Sequence, residues 1–270
     1  MLVAFWSPFS GAGATSACVL ATALATAVDK RITCSLMQVG YKDNCLFKYF
    51  MPTADERTRL SIFENTGVDA LLRHSIDKVA KVEDVQDCSF SFVEKRLNVF
   101  TPSTISTEGL YCDDLQKSVK NMFKALCGAY RLNYVDVPAG VNFYSSLALP
   151  LADLIVVCLP QNKWQIREYT EQFSFVSKKV VTVLGDYDAK CSVGPMNLAL
   201  ENKAIAFGKT GVIPHNTEFM ESLNASSAIS FYLKNCKCTR VDGNFNFIVQ
   251  TRKVVEKILT GSSTDRGNWG

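Results

Sequence analysis

The sequence predicts an α/β protein, a single three-layer α/β/α domain built on a mostly parallel twisted sheet. Short apolar runs alternate along the chain with longer stretches of helical period, the pattern of strands connected by helices. One run, Leu154–Leu159, is apolar at every position, as a central parallel strand covered on both faces must be. With 270 residues, 47% of them hydrophobic, the chain can bury one large core and is not globally disordered.

Taken in order, Leu2–Trp6 reads as the first strand and Thr15–Val28 as a helix, because Val19, Ala23 and Ala27, or Leu20, Leu24 and Val28, recur on single faces. Residues 32–37 are the expected second strand. Between 42 and 95 the pattern is weaker: Ile62, Leu71, Leu72 and Ile76 suggest short helices inserted at the sheet's edge. Residues 97–100 read as a strand closed by Thr101-Pro102, 115–130 as an amphipathic helix, and 132–137 as a buried strand running into Pro138-Ala139-Gly140. Beyond the central run follow a helix over 166–175, a β-branched strand over 179–185, a short helix over 196–203, and a strand over 210–213 stopped by Pro214. Helices near 219–223, 228–233 and 247–259 complete the series. No repeat, low-complexity stretch or linker divides the chain, so 1–260 reads as one domain and 261–270 as a polar tail.

Composition narrows the function classes. Lysine and arginine total 29 against 26 acidic residues, a net charge of +3, too even a balance to indicate nucleic acid. The ten cysteines are scattered, with Cys18, Cys34, Cys127 and Cys158 in apolar segments where cysteine behaves as a small hydrophobe. Cys236 and Cys238 form a C-x-C without a second pair, and His74 and His215 are the only histidines, so a zinc centre is not expected. The apolar stretch from 17 to 28 is too short and alanine-rich to span a bilayer, and no basic segment precedes the first strand. A cytoplasmic, soluble protein with reduced thiols is the expectation.

The chemistry gathers at Ser10-Gly11-Ala12-Gly13-Ala14-Thr15, between the first strand and an alanine-rich helix. Gly11 and Gly13 let backbone N–H groups face a phosphate, and the helix N-terminus adds partial positive charge. Thr15 or Ser16 can cap the helix or place a hydroxyl on Mg²⁺. Alone, the segment also reads as an ordinary steric strand-to-helix turn. Asp136 stands at the end of a buried strand, where α/β sheets bind ligands, although an aspartate before Pro138 can also serve a turn. Asp153 is expected to cap the entry of its strand, and Cys18 and Cys158 to be core residues.

Around this loop, Trp6-Ser7-Pro8 and the residues after it resemble the W-S-P-K-G-G-x-G-K-T-T opening of the MinD/ParA P-loop ATPases. Asp136-Val137-Pro138-Ala139-Gly140 is similar to that family's D-x-P-x-G strand end, Ala152-Asp153-Leu154-Ile155-Val156-Val157 to its A-D-x-x-x-V strand, and Ile213-Pro214-His215-Asn216 to its I-P-x-[DN] loop. The ending is similar as well, from Glu218-Phe219 through Phe247-Ile248 to Lys257-Ile258-Leu259, so the resemblance covers nearly the whole chain in order. It implies a P-loop NTPase fold and a site for ATP or ADP with Mg²⁺. Ser10 to Ser16 would hold the phosphates, Asp136 and Thr15 the metal, and Pro214 would lie near the adenine.

The departures bear on catalysis. The alignment places Phe9 at the signature lysine that reaches across the family's dimer, and Ala14 at the lysine that touches the β- and γ-phosphates. The second strand, which in the family ends on an acidic D-x-D-type motif, reads Leu36-Met37-Gln38-Val39-Gly40 with no carboxylate. Phosphoryl transfer rests on positioning and charge stabilisation, so these losses imply impaired or absent hydrolysis.

Lysine-free loops of this kind resemble the divergent branch of TadZ-like and CpaE-like proteins, and the segments Glu64-Asn65-Thr66-Gly67-Val68-Asp69-Ala70-Leu71 and Leu159-Pro160-Gln161-Asn162 are similar to chains of that branch. The resemblance implies a dimeric localisation or assembly factor for a Tad/Flp-type pilus or secretion apparatus, brought to the membrane through its partners. The receiver-like domain of many such proteins does not precede the first strand here. An active ParA-like partitioning ATPase binding DNA nonspecifically is the alternative, kept open by Lys234, Lys237, Arg240, Arg252, Lys253 and Lys257. Direct membrane targeting by the amphipathic final helix, as in MinD, is a third reading, beside plain packing on the sheet.

Overall fold

Strands β1 (Leu2–Trp6), β2 (Cys34–Gln38), β3 (Phe90–Phe92), β4 (Leu97–Val99), β5 (Leu132–Asp136), β6 (Leu154–Leu159), β7 (Val180–Tyr187) and β8 (Thr210–Pro214) form one sheet in the order β3-β4-β2-β5-β1-β6-β7-β8. The structure is a computed structural model that describes residues 1–41, 46–51, 66–173, 179–201, 205 and 207–261. All neighbouring strands are parallel except β3, which runs antiparallel to β4 at one edge. The fold class read from the sequence is the one observed.

Helices cover both faces, as the alternation within β1 requires. Val3 and Phe5 enter one core with α1 (Thr15–Val28), α8 (Thr217–Asn224), α9 (Ala228–Asn235) and α10 (Phe245–Gly261). Leu2, Ala4 and Trp6 enter the other, with α2 (Gly67–Ser75), α3 (Val82–Asp87), α4 (Glu108–Ala129), α5 (Phe143–Ala148), α6 (Lys163–Gln172) and α7 (Pro195–Glu201). β1 lies beside β5, and the connection after β1 leaves to one face through α1 while that after β5 leaves to the other through α5, which opens a crevice at their carboxyl ends.

Local chemistry sets the element ends. Thr107 accepts from the Leu110 amide at 3.4 Å and starts α4 seven residues before the apolar period of 115–130 becomes visible, because the first turn is exposed. Asn142, Asn162 and Asn216 cap α5, α6 and α8 in the same manner. Asp153 accepts from the Leu2 amide at 2.7 Å, so it fixes the entry of β1 as well as that of its own strand. The second strand begins two residues later than expected and ends one later, because Ile32 and Thr33 stand outside the ladder that begins at Cys34. Two short elements, β3 and α5, have no counterpart in the sequence reading. The expected positions Ile62, Glu64 and Asn65, the ends of the helices over 166–175 and 196–203, and the tail from 262 lie outside the described residues.

The described cysteines are all free, and Cys18, Cys34 and Cys158 are core residues as expected. Cys127 is exposed on α4, against expectation, since it lies on the outward side of an amphipathic helix. Among the described residues no three histidine, cysteine or acidic side chains gather to hold a metal ion, and no helix is long and apolar enough to cross a membrane.

At the far end of α1 a polar tie joins three helices. Arg252 on α10 donates to Asp29 through Nε at 2.9 Å and Nη2 at 2.7 Å, and also to the Cys236 carbonyl; Tyr232 on α9 donates to the same carboxylate at 2.6 Å. Charge-assisted hydrogen bonds of this type contribute more than neutral ones. Arg252→Ala is expected to lower unfolding stability by about 1–3 kcal/mol, and Arg252→Lys to recover only part of that, because an ammonium cannot make the forked contact. Urea unfolding measures both; a neutral Arg252→Ala would contradict this role.

Candidate functional site

The loop from Ser7 to Ala14 leaves the buried end of β1 and is laced to the segment after β5. The Trp6 indole donates to the Gly140 carbonyl at 3.0 Å, and the Gly140 amide to the Ser7 carbonyl at 2.9 Å. The Phe9 amide donates to the Ser7 hydroxyl at 3.3 Å, and the Ala12 amide closes back on the Phe9 carbonyl at 3.4 Å. Gly11, Gly13 and Ala14 take positive φ of 69°, 75° and 47°. Left-handed residues within such a turn curve neighbouring amides into an anion-binding concavity. At Ala14 the conformation costs about 1–2 kcal/mol, since its Cβ crowds the following carbonyl. Ala14 also offers α1 no side-chain cap, and no acidic residue stands in the first turn, so the amides there face the crevice.

Close backbone contacts hold the loop down. A Cβ on Gly13 would lie 2.6 Å from the Cys158 carbonyl oxygen, and a Cβ on Gly185 only 1.9 Å from the Gly13 carbonyl oxygen. Gly185 was not singled out in the sequence; its only signal was a glycine within an otherwise β-branched strand, which often marks close backbone approach.

Above the loop lies a cavity of about 620 Å³. Ser10, Gly11, Ala12, Ala14, Thr15, Ser16 and Asp136 all line it, so most of the residues singled out in the sequence come together. Gly13 lies beneath, against β6 and β7. Pro214 does not line the cavity: it is buried at the end of β8 opposite Tyr187. The following His215 pairs with Asp186 at 2.6 Å, and the Asn216 side chain is taken up in capping α8. Tyr49, Met220 and Leu223 instead supply an aromatic and apolar wall that sequence spacing did not reveal. Phe9 packs against Phe173, with ring centroids 6.3 Å apart, and Trp6 packs on the same ring at 5.7 Å.

Asp136 is only 8% exposed, and its Oδ2 accepts from the Ser16 hydroxyl at 2.8 Å. Burial pushes its carboxyl up to about 7, and the Ser16 hydrogen bond opposes that shift. Ser16 and not Thr15 donates to the carboxylate. Gln38 stands beside Asp136 in register, and its Oε1 accepts from the Leu46 amide at 3.0 Å. Among the described residues no lysine or arginine lines the cavity. A buried carboxylate with a single hydroxyl partner, next to a second hydroxyl and a row of free amides, fits Mg²⁺ accompanying a phosphate.

No family model and no curated protein matches the sequence significantly. The architecture does match known structures. A ParA family ATPase from Chlorobium tepidum superposes with a TM-score of 0.70 over 94% of this chain and 98% of its own, at 12% identity. The fold is that of the MinD and ParA ATPases. The MinD cell division ATPase of Pyrococcus furiosus is similar at TM-score 0.67 and 14% identity, covering 96% of this chain and 98% of its own. MinD of Pyrococcus horikoshii, complexed with Mg-ADP, gives 0.66 at 12% identity over 95% of each chain.

Two outcomes are expected of this geometry. Gly185→Ala should displace the loop, weakening any ligand of the cavity and costing about 1–3 kcal/mol of stability by overpacking; unchanged unfolding and binding curves would contradict the contact. Asp136 holds its proton in the folded chain up to about pH 7, against an ordinary value of 3.8. Folding therefore weakens as pH rises from about 4 to 7, with the full penalty present above that range. In metal-free buffer, Asp136→Asn should gain stability over the native chain, by about 3 kcal/mol more at pH 8 than at pH 5, at about 1.4 kcal/mol per unit. An equal difference at both pH values would exclude a raised carboxyl.

Proposed function

We propose that this protein is a MinD/ParA-like nucleotide-binding switch with impaired or absent ATP hydrolysis. It works as a homodimer that localises or assembles a Tad/Flp-type pilus or secretion apparatus on the cytoplasmic side of the membrane. The observation that carries the reading is Ala14: a methyl group stands where the resemblance expects the phosphate-binding lysine, while the amide concavity, Ser16 and Asp136 are retained.

In this reading the amides of Gly11 and of Gly13 to Ser16 hold the phosphates, that of Ala12 being taken up by the Phe9 carbonyl. Ser16 and Asp136 would hold Mg²⁺, which supplies the positive charge the loop lacks. Burial holds the Asp136 carboxyl up at about 7, so near neutral pH it is shared between protonated and ionised forms, and a bound cation would favour the ionised one. Gln38, with its Oε1 committed to the Leu46 amide, offers no carboxylate to order an attacking water. Both features favour retention of nucleotide over turnover.

The pilus assignment and the dimer rest on the sequence resemblance to the TadZ-like and CpaE-like branch. The partitioning alternative draws less support, because Arg252 is committed to Asp29 and Lys257 to the Gly208 carbonyl, which removes two cations from the basic series.

Calorimetric titration with Mg-ATP and Mg-ADP, followed by phosphate-release assay, tests the proposal. Saturable binding without steady release is expected, and Ala14→Lys should tighten Mg-ATP binding by roughly tenfold, the worth of one charge-assisted contact. Steady turnover by the native chain would overturn the switch, and no binding of either nucleotide would leave the loop a scaffold.

A further inference from the structure

The segment from Leu233 to Val241 leaves α9 and returns to α10 through a series of tight turns. The Cys236 amide closes on Tyr232 at 2.8 Å, Cys238 on Asn235 at 3.0 Å and Asp242 on Thr239 at 3.0 Å. Arg252 holds the middle of the segment through the Cys236 carbonyl. This fixed segment presents aliphatic side chains interleaved with cations. Val241 is 93% exposed and Leu233 50% exposed, and between them Lys234, Lys237 and Arg240 are exposed and form no ion pair with the described residues. Of the acidic groups on these elements, Asp29 is paired with Arg252 and Glu256 with Lys30, whereas Glu218 and Asp242 accept from the neutral Asn244 and Thr239 and keep their charge. Lys253 adds a further exposed cation on α10.

We propose that this segment docks on an anionic lipid surface, Lys234, Lys237 and Arg240 meeting the headgroup phosphates while Leu233 and Val241 enter the headgroup layer. Unpaired cations interleaved with exposed aliphatic side chains fit a boundary between charge and hydrocarbon. The phosphates of a duplex would draw on the cations and leave the valine and leucine in water. The segment lies by the carboxyl end of α1, whereas the cavity lies at its amino end, about 21 Å away for a helix of this length. Docking here is therefore independent of what fills the cavity, and of the reading given to it.

Co-sedimentation of the full chain with phosphatidylcholine vesicles, with or without phosphatidylglycerol, tests this, with duplex DNA measured in parallel at the same salt. Binding only to the anionic vesicles is expected, falling with added salt and unchanged by Mg-ATP. Each basic residue contributes roughly fivefold at such a surface, so the triple variant Lys234→Glu, Lys237→Glu, Arg240→Glu should lose at least about 100-fold. Val241→Ser should lose several-fold, and both variants should keep the native melting temperature because the altered side chains are exposed. Equal binding to neutral and anionic vesicles, or an unaffected triple variant, would overturn the proposal. So would DNA binding that needs the three cations and ignores Val241. If the triple variant melts early, the salt dependence of the native chain and Lys237→Glu alone decide by the same criteria.

Discussion

The backbone of the 7–14 loop lies directly on the ends of two strands, and the site's geometry follows from that contact. Gly13 sits where any side chain would strike the Cys158 carbonyl, and Gly185 where any side chain would strike Gly13 in turn. With its underside fixed, the loop turns its amides outward and delivers the chain to α1 through a left-handed alanine. That alanine is strained, and what holds it is the helix that follows. Residues Cys18 to Ala27 are all buried, so α1 cannot shift to relieve one residue without exposing its own apolar surface. Fold and site are thus coupled through a few ångströms of backbone.

The same geometry explains why the site can be polar yet lack cations of its own. Amide dipoles and a helix N-terminus attract phosphate without any ionised side chain. Asp136, the one carboxyl group among the described residues that line the cavity, is raised by burial to about 7, so near neutral pH its negative charge is only partly developed. Positive charge must then come with the ligand. Retention of nucleotide needs only placement, whereas hydrolysis needs charge stabilised at the reacting phosphate.

Much of this was legible in the sequence because it is locally encoded. The strands at the centre of the sheet are runs of apolar residues, α1 is an alanine-rich amphipathic series, and Asp136 and Asp153 flank buried runs at positions where a carboxylate has a backbone or site role. The parts that were not legible depend on contacts between distant segments. Gly185 matters only because Gly13 lands on it, and Gln38 only because its strand ends beside Asp136. Tyr49, Met220 and Leu223 meet across the cavity from segments more than 150 residues apart in the chain. Strand β3 has three residues and a single neighbour, too short to impose a period of its own. Pro214 was placed near the base through resemblance alone, while in this chain the end of β8 is occupied by pairing with Tyr187.

Amide resonances of the loop report on the central interaction directly. In a ¹⁵N-labelled sample titrated with Mg-ADP, the Gly11, Gly13, Thr15 and Ser16 amides are expected to move downfield together and saturably, as N–H groups do on donating to phosphate oxygens. The amides of the 233–241 segment should stay in place. Saturation with nucleotide while the loop amides remain unmoved would contradict a phosphate site built from backbone.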